Sequence, residues 1–174
     1  MARNALPADA PIHKPVVLVA LSGGGFTGET KSLLASIRSD FAFHYLQAPW
    51  SGDPGEDGVP IGPCHAVPAF DSYTRPSVRK SAQAFAVTFF TACLVLLRTH
   101  VDVVVGVGSR HAPPMLLAGT LFGKKTVFIE SLTRVDRLSR VGALVYRLRL
   151  ARTFIVQWPA LQRLYPKSRL GTLL

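Results

Sequence analysis

Only two of the 174 residues are cysteine, Cys64 and Cys93. Two thiols cannot make a disulfide framework, and by themselves they cannot close a structural zinc site. Metal-ligand spacing is absent too: His65, His100 and His111 stand far apart and the aspartates are scattered singly, so no metal site is expected. Negative charge runs out early. Asp136 is the last acidic residue, and eight arginines or lysines follow it, from Arg137 through Arg147 and Arg149 to Arg169. Charged residues of both signs make up only 17%, little for a wholly solvated surface, so some surface is expected to face a protein or a lipid. The first fifteen residues lack the apolar core of a signal peptide, and residues 1–14 are expected to be a loose tail.

No run reaches the roughly 20 apolar residues of a full membrane span. The nearest, Ser81–Leu97, carries no charge, is interrupted by Gln83, Thr88 and Thr91, and is bracketed by Arg79, Lys80 and Arg98. Three readings of it stay open: a buried crossover helix, a helix lying against the bilayer, and a true span.

What is present is enough for one folded domain. Hydrophobic residues make up 48% of a chain whose length can bury a core without staples. The net charge of +10 suits nucleic acid, anionic lipid or a phosphorylated substrate. Its concentration in the acid-free C-terminal quarter favours a membrane face. No recognition helix or base-stacking pattern stands out, so nucleic acid is not expected as a partner.

The chain opens as an α/β domain. Val16–Leu21 is a short apolar run of buried-strand character, the next five residues include three glycines, and Glu29–Arg38 has helical periodicity. Phe41–Leu46, Asp102–Val105, Thr126–Ile129 and Thr153–Val156 read as further strands, with a short edge element marked by Val67 and Phe70. Pro76 and Pro113-Pro114 suit helix starts, Leu138–Leu150 is a basic amphipathic helix, and Trp158–Leu164 is a short helix or turn. The expected fold over residues 15–174 is therefore a Rossmann-like sheet of five or six mostly parallel strands with helices on both faces. In such sheets ligands bind at the carboxyl ends of the strands. Those ends carry Ser22–Glu29, Gly106–His111, Glu130–Arg134 and Gln157–Trp158.

The first glycine loop matches two known patterns only in part. Gly23-Gly24-Gly25-Phe26-Thr27-Gly28 has dinucleotide-loop spacing, but no acidic residue ends the second strand to hold a ribose. The same stretch frames a phosphate loop, yet Glu29 stands where that loop needs lysine, and a carboxylate would repel the phosphate. Two readings of the glycines remain: tight turning with close helix–sheet contact, or an open helix N-terminus whose N–H groups meet a diphosphate or sugar oxygen. Thr27 or Gly28 is the expected cap.

Four segments in order resemble the Alg14-type subunit of the split UDP-sugar glycosyltransferases and its bacterial capsule and exopolysaccharide relatives. They are Leu21–Thr30, Gly106–Ser109 with Pro113, Glu130-Ser131-Leu132-Thr133-Arg134-Val135, and Phe154–Pro159 followed by Tyr165-Pro166 and Gly171. The resemblance implies the N-terminal half of a GT-B glycosyltransferase. A separate Alg13-like subunit would hold most of the UDP-sugar donor site. The present half would bind a polyprenyl- or dolichyl-diphosphate sugar acceptor at the cytoplasmic face of a membrane, as a peripheral or monotopic protein. The implied donor sugar is N-acetylglucosamine or another hexose, with no tightly bound cofactor. The alternative is a non-catalytic membrane anchor or activator of a partner glycosyltransferase. The chain departs from the family at two points. Eukaryotic members usually begin with a transmembrane helix, and the N-terminal residues here do not resemble one, which points to a prokaryotic relative. The family's loop histidine is Phe26, a side chain that cannot move a proton.

Within that reading Glu29 and His111 are the expected catalytic residues. Substrate contacts are expected from Gly23, Gly24, Gly25, Thr27, Gly28, Gly108, Ser109, Arg110, Glu130, Ser131 and Arg134, with an Arg134–Glu130 brace as the structural alternative. Gln157, Trp158 and Tyr165 are the expected partner-interface residues.

Overall fold

The computed structural model describes residues 14–23, 25–56, 58–70 and 77–173. The expected tail, apart from Lys14, falls outside them, as do Gly24 and the helix start expected at Pro76. The element order is β1 (Val16–Leu21), α1 (Phe26–Ile37), β2 (Ala42–Gln47), β3 (Cys64–Ala66), α2 (Val78–Arg98) and β4 (Val103–Val107). There follow α3 (Ala112–Leu121), β5 (Lys125–Ile129), α4 (Arg140–Leu148), β6 (Thr153–Val156), α5 (Pro159–Leu164) and β7 (Arg169–Leu170).

The strands form one sheet in the order β3-β2-β1-β4-β5-β6-β7, with every neighbouring pair parallel. From β1 the chain steps outward to β3; from β4 it steps the other way to β7. The loops after β1 and β4 therefore diverge and leave a crevice at their carboxyl ends. Asp102 fixes this central pair, its Oδ2 accepting the Val16 N–H at 2.8 Å.

Alternation along the strands divides the core in two. Leu18, Ala20, Leu46, Val104, Phe128, Phe154 and Val156 face the side covered by α2, α3, α4 and α5. Val17, Val19, Leu21, Phe43, Tyr45, Val105 and Ile129 face the other side, where Leu33, Leu34 and Ile37 of α1 pack on them. Helices lie on both faces, as expected, but unevenly: α1 is the only one on its side among the described residues.

The uncharged run is a packed crossover helix with a second, open face. Ser77 caps α2, its hydroxyl accepting the Lys80 N–H at 3.4 Å. Ala84, Thr88, Ala92 and Val95 are buried, packing the helix against the fold. Val87, Phe90, Leu94 and Leu97 recur at helical spacing on the opposite face and are exposed, Phe90 by 63% and Leu97 by 68%. By length and composition this helix is long and apolar enough to cross a membrane, and less than a third of its apolar stretch is buried.

Several boundaries differ from expectation. α1 begins at Phe26 because Gly25 already has helical dihedrals; Gly25 is the N-cap, and Thr27 and Gly28 lie in the first turn instead of capping it. The edge element is Cys64–Ala66, just before Val67. β7 was not expected: two residues show no periodicity, and it exists by pairing with β6.

Candidate active site at the carboxyl rim of the sheet

Glu29 sits in the first turn of α1 and reaches the loop after β5. Its Oε1 accepts the Ser131 hydroxyl at 2.6 Å and the Leu132 N–H at 3.2 Å. Ser131 Oγ also meets Thr133 Oγ1 at 3.0 Å and accepts the Thr133 N–H at 3.3 Å. The other carboxylate oxygen, Oε2, is buried and has no partner among the described residues. Ser109 Oγ, in the loop after β4, is orphaned in the same way. An unpaired buried polar atom costs about 1–3 kcal/mol, so each calls for a reason. In sheets of this kind ligands bind at the carboxyl rim, where a donor from a bound group would satisfy such atoms.

Two glycines shape the crevice. Gly108 has φ +52, and a Cβ there would come within 2.6 Å of the Phe26 ring and 3.5 Å of Ser131 Cβ. Phe26 therefore packs against a bare backbone, half-buried, and fixes α1 against the loop after β4. Gly23 has φ +65 and lets the backbone at Pro49 and Trp50 approach closely. Gly25 and Gly28 differ, since a Cβ on either would meet no described residue within 4 Å. They leave open space over the α1 N-terminus, which has no side-chain cap. Its first N–H groups are thus available to an anion or a sugar oxygen. The α3 N-terminus is not equivalent, because Pro113 and Pro114 have no N–H to offer.

His111 requires a correction. It was expected to act on the reacting atoms, yet it is 3% exposed and both ring nitrogens are bonded. Nε2 lies 3.0 Å from the Pro68 carbonyl, so it carries the hydrogen; Nδ1 then accepts from Ser22 Oγ at 3.2 Å. Phe70 meets the ring edge-on at 4.8 Å. Burial holds the imidazole below its ordinary pKa, the Pro68 carbonyl opposes that, and the Arg110 charge adds to it. A neutral ring in a fixed tautomer orients Ser22 at the end of β1. Ser22 was expected at the rim from its position directly after β1, but not among the substrate contacts.

Glu130 is also turned inward. It is 0% exposed, and its Oε1 accepts the Ser131 N–H at 2.9 Å. Its Oε2 accepts the Ser139 N–H at 3.0 Å and the Ser139 hydroxyl at 3.1 Å. Ser139 Oγ in turn accepts the Gly142 N–H at 2.9 Å and caps α4. Burial raises the Glu130 pKa above the usual carboxylate value; the bonds from Ser131 and Ser139, and more weakly the Arg134 charge, oppose the rise. The carboxylate is committed to holding α4, so it offers substrate nothing, and Arg134 is an exposed side chain instead of its brace. Arg110 is partly exposed beside the crevice.

The expected partner-interface residues divide. Gln157 is buried between the Glu130 carbonyl, which accepts its Nε2–H at 2.9 Å, and the Leu173 N–H, which donates to its Oε1 at 3.2 Å. Tyr165 is half-buried, packing edge-on against Tyr146 at the margin of the core. Both are taken up by internal packing. Trp158 stays exposed on one side while its indole N–H donates to the Leu132 carbonyl at 2.6 Å, buttressing the loop that holds Glu29.

The rim thus joins Ser22, Gly23, residues 25–29, Gly108–Ser109 and Ser131–Thr133, while Glu130, His111 and Gln157 support it from below. Residues 74–174 match the family model described as oligosaccharide biosynthesis protein Alg14 like. The chain is 29% identical over 173 residues to the human UDP-N-acetylglucosamine transferase subunit ALG14, covering 87% of this chain and 79% of that protein. It is 26% identical over 183 residues to the Yarrowia lipolytica protein of the same name, covering 91% and 81%. The crystal structure of Acinetobacter baumannii MurG superimposes with a TM-score of 0.63 at 18% identity, over 84% of this chain and 42% of that one. That superposition establishes a shared fold with less than half of the longer protein.

Proposed function

This chain belongs to the Alg14-like family of oligosaccharide biosynthesis proteins, and from that premise we propose that it is the acceptor-side subunit of a two-component glycosyltransferase. In this reading an Alg13-like partner supplies most of the UDP-sugar site. The present chain holds a polyprenyl- or dolichyl-diphosphate sugar at the cytoplasmic membrane surface, and the pair transfers N-acetylglucosamine or another hexose. UDP-sugar enters as substrate, and no tightly bound cofactor is invoked.

The observation that carries the reading is the Glu29 carboxylate. One oxygen is fixed by Ser131 and Leu132, and the other is desolvated and unpaired at the rim. An acceptor hydroxyl donating to Oε2 completes the set. As the hydroxyl oxygen attacks the anomeric carbon, its proton passes to Oε2, the bond to UDP breaks, and UDP leaves with the electron pair. The uncapped α1 N-terminus and the Arg110 and Arg134 side chains suit the acceptor's diphosphate. Ser109 Oγ is available as a further contact to the saccharide. Phe26, packed on Gly108, takes no proton, which leaves the base role to Glu29.

The test is Glu29→Gln in the assembled pair. General-base catalysis contributes about 10²–10⁴-fold. The account expects kcat to fall by that order while the melting temperature changes little. Wild-type turnover by the variant would remove Glu29 from the chemistry.

A second reading, the non-catalytic membrane anchor or activator, draws on the exposed apolar stripe of α2. Full activity of the partner subunit alone would favour it.

A further inference from the structure

The loop after β2 carries a feature that the mechanism above does not use. Trp50 is 91% exposed and sits at φ 60, a left-handed conformation that a bulky non-glycine residue rarely adopts. The turn that presents it is pinned on three sides. The Ala48 N–H donates to the Leu21 carbonyl at 2.9 Å, the Ser51 hydroxyl donates back to the Ala48 carbonyl at 2.7 Å, and Gln47 Nε2 donates to the Gly52 carbonyl at 3.0 Å. Backbone strain held this firmly is typical of a functional site. Beside the ring lies a cavity of about 430 Å³ lined by Gln47, Pro49, Trp50, Asp53 and Val67 among others. Gln47 Nε2 also donates to Asp53 Oδ1 at 2.7 Å, locking carboxamide and carboxylate side by side.

We propose that this cavity is a saccharide-binding subsite, with Trp50 as the stacking platform and the Gln47–Asp53 pair as the hydroxyl-binding edge. A pyranose has an apolar C–H face and a polar rim of paired hydroxyls. An exposed indole fits the first and a fixed carboxylate–carboxamide pair fits the second. Among the described residues that line the cavity Asp53 is the charged one, with the Lys31 ammonium at its edge beside Gly52, so the lining offers an anion no cluster of positive charge. Gly23 abuts the Trp50 carbonyl, so the cavity borders the same glycine loop as Glu29. In that place it would take a sugar unit of the acceptor away from the reacting hydroxyl. The acceptor assignment rests on the function proposed above; the binding of a sugar does not.

The experiment uses the chain labelled with 5-fluorotryptophan, assembled with its unlabelled partner and observed by fluorine NMR. Trp50→Phe identifies the Trp50 signal against that of Trp158. The probes are methyl glycosides of N-acetylglucosamine, glucose and galactose, and separately phosphatidylglycerol vesicles. The expected result is a saturable shift of the Trp50 signal with at least one glycoside. That affinity should weaken about tenfold or more in Asp53→Ala, a loss the signal can resolve; an unmoved Trp158 signal certifies the fold of the variant. No saturable shift with any glycoside, or a shift with vesicles alone, overturns the subsite; if the pair still transfers sugar, the function proposed above survives that loss. A saturable glycoside shift in a pair that transfers no sugar upholds the subsite and sinks that function.

Discussion

At the scale of single residues, two glutamates, one in the first turn of α1 and one directly after β5, do opposite work. Glu29 keeps one oxygen unspent at the rim, whereas Glu130 spends both on the start of α4. The difference has a pH signature. Burial raises the Glu130 pKa in the folded state above the ordinary glutamate value near 4.5. The folded chain then binds the proton more readily than the unfolded chain. That stabilisation is fully present below the ordinary value and is lost as pH rises through the raised one. Wild type should therefore gain melting temperature relative to Glu130→Gln as pH is lowered from neutrality toward 4.5. A pH-independent difference between the two would refute the buried titration. None of this was legible in the sequence. The Glu29–Ser131 bond joins residues 102 positions apart, and no spacing rule tells an inward glutamate from one at the rim. What could be read was that Glu29 follows the glycine loop after β1 and Glu130 stands at the end of β5, since both placements follow from the apolar runs before them.

At the scale of elements, the strands that carry a continuous apolar run were readable, whereas of the edge strands β3 was anticipated only as a short element displaced toward Val67 and β7 not at all. β1, β4, β5 and β6 announce themselves through Val and Ile. β3 and β7 have three and two residues, and they form because a neighbouring strand offers unpaired backbone groups. The α4 junction gives an element-scale prediction. Alanine normally improves a helix position held by glycine by about 1 kcal/mol. At Gly142 a Cβ would overlap the Glu130 carboxylate, and the overpacking cost of about 1–3 kcal/mol wins. Gly142→Ala should destabilise the chain in urea unfolding, and a stabilised variant would show that α4 is not seated on Glu130.

At the scale of the molecule, the side of the sheet covered by α2, α3 and α4 carries the surface that the low charge fraction foreshadowed. Phe90, Leu94 and Leu97 of α2 and Leu144 and Leu148 of α4 are exposed there, and Arg147 and Arg149 stand beside the latter pair. Each basic residue near an anionic bilayer contributes about 1 kcal/mol, so removing two weakens partitioning about thirtyfold. Arg147→Glu with Arg149→Glu should lower co-sedimentation with phosphatidylglycerol vesicles by at least that factor, and added salt should weaken the wild type similarly. Unchanged sedimentation would take α4 off the membrane face.

The account stands on a division of labour: the acceptor and its base belong to this chain, and the donor belongs to a second one. The direct measurement is transfer from UDP-N-acetylglucosamine and other UDP-hexoses to prenyl-diphosphate sugars, assayed with this chain alone, with the Alg13-like protein of the same genome alone, and with the two co-purified. The account predicts product from the pair and none from either chain separately. Full transfer by either chain without the other would contradict it.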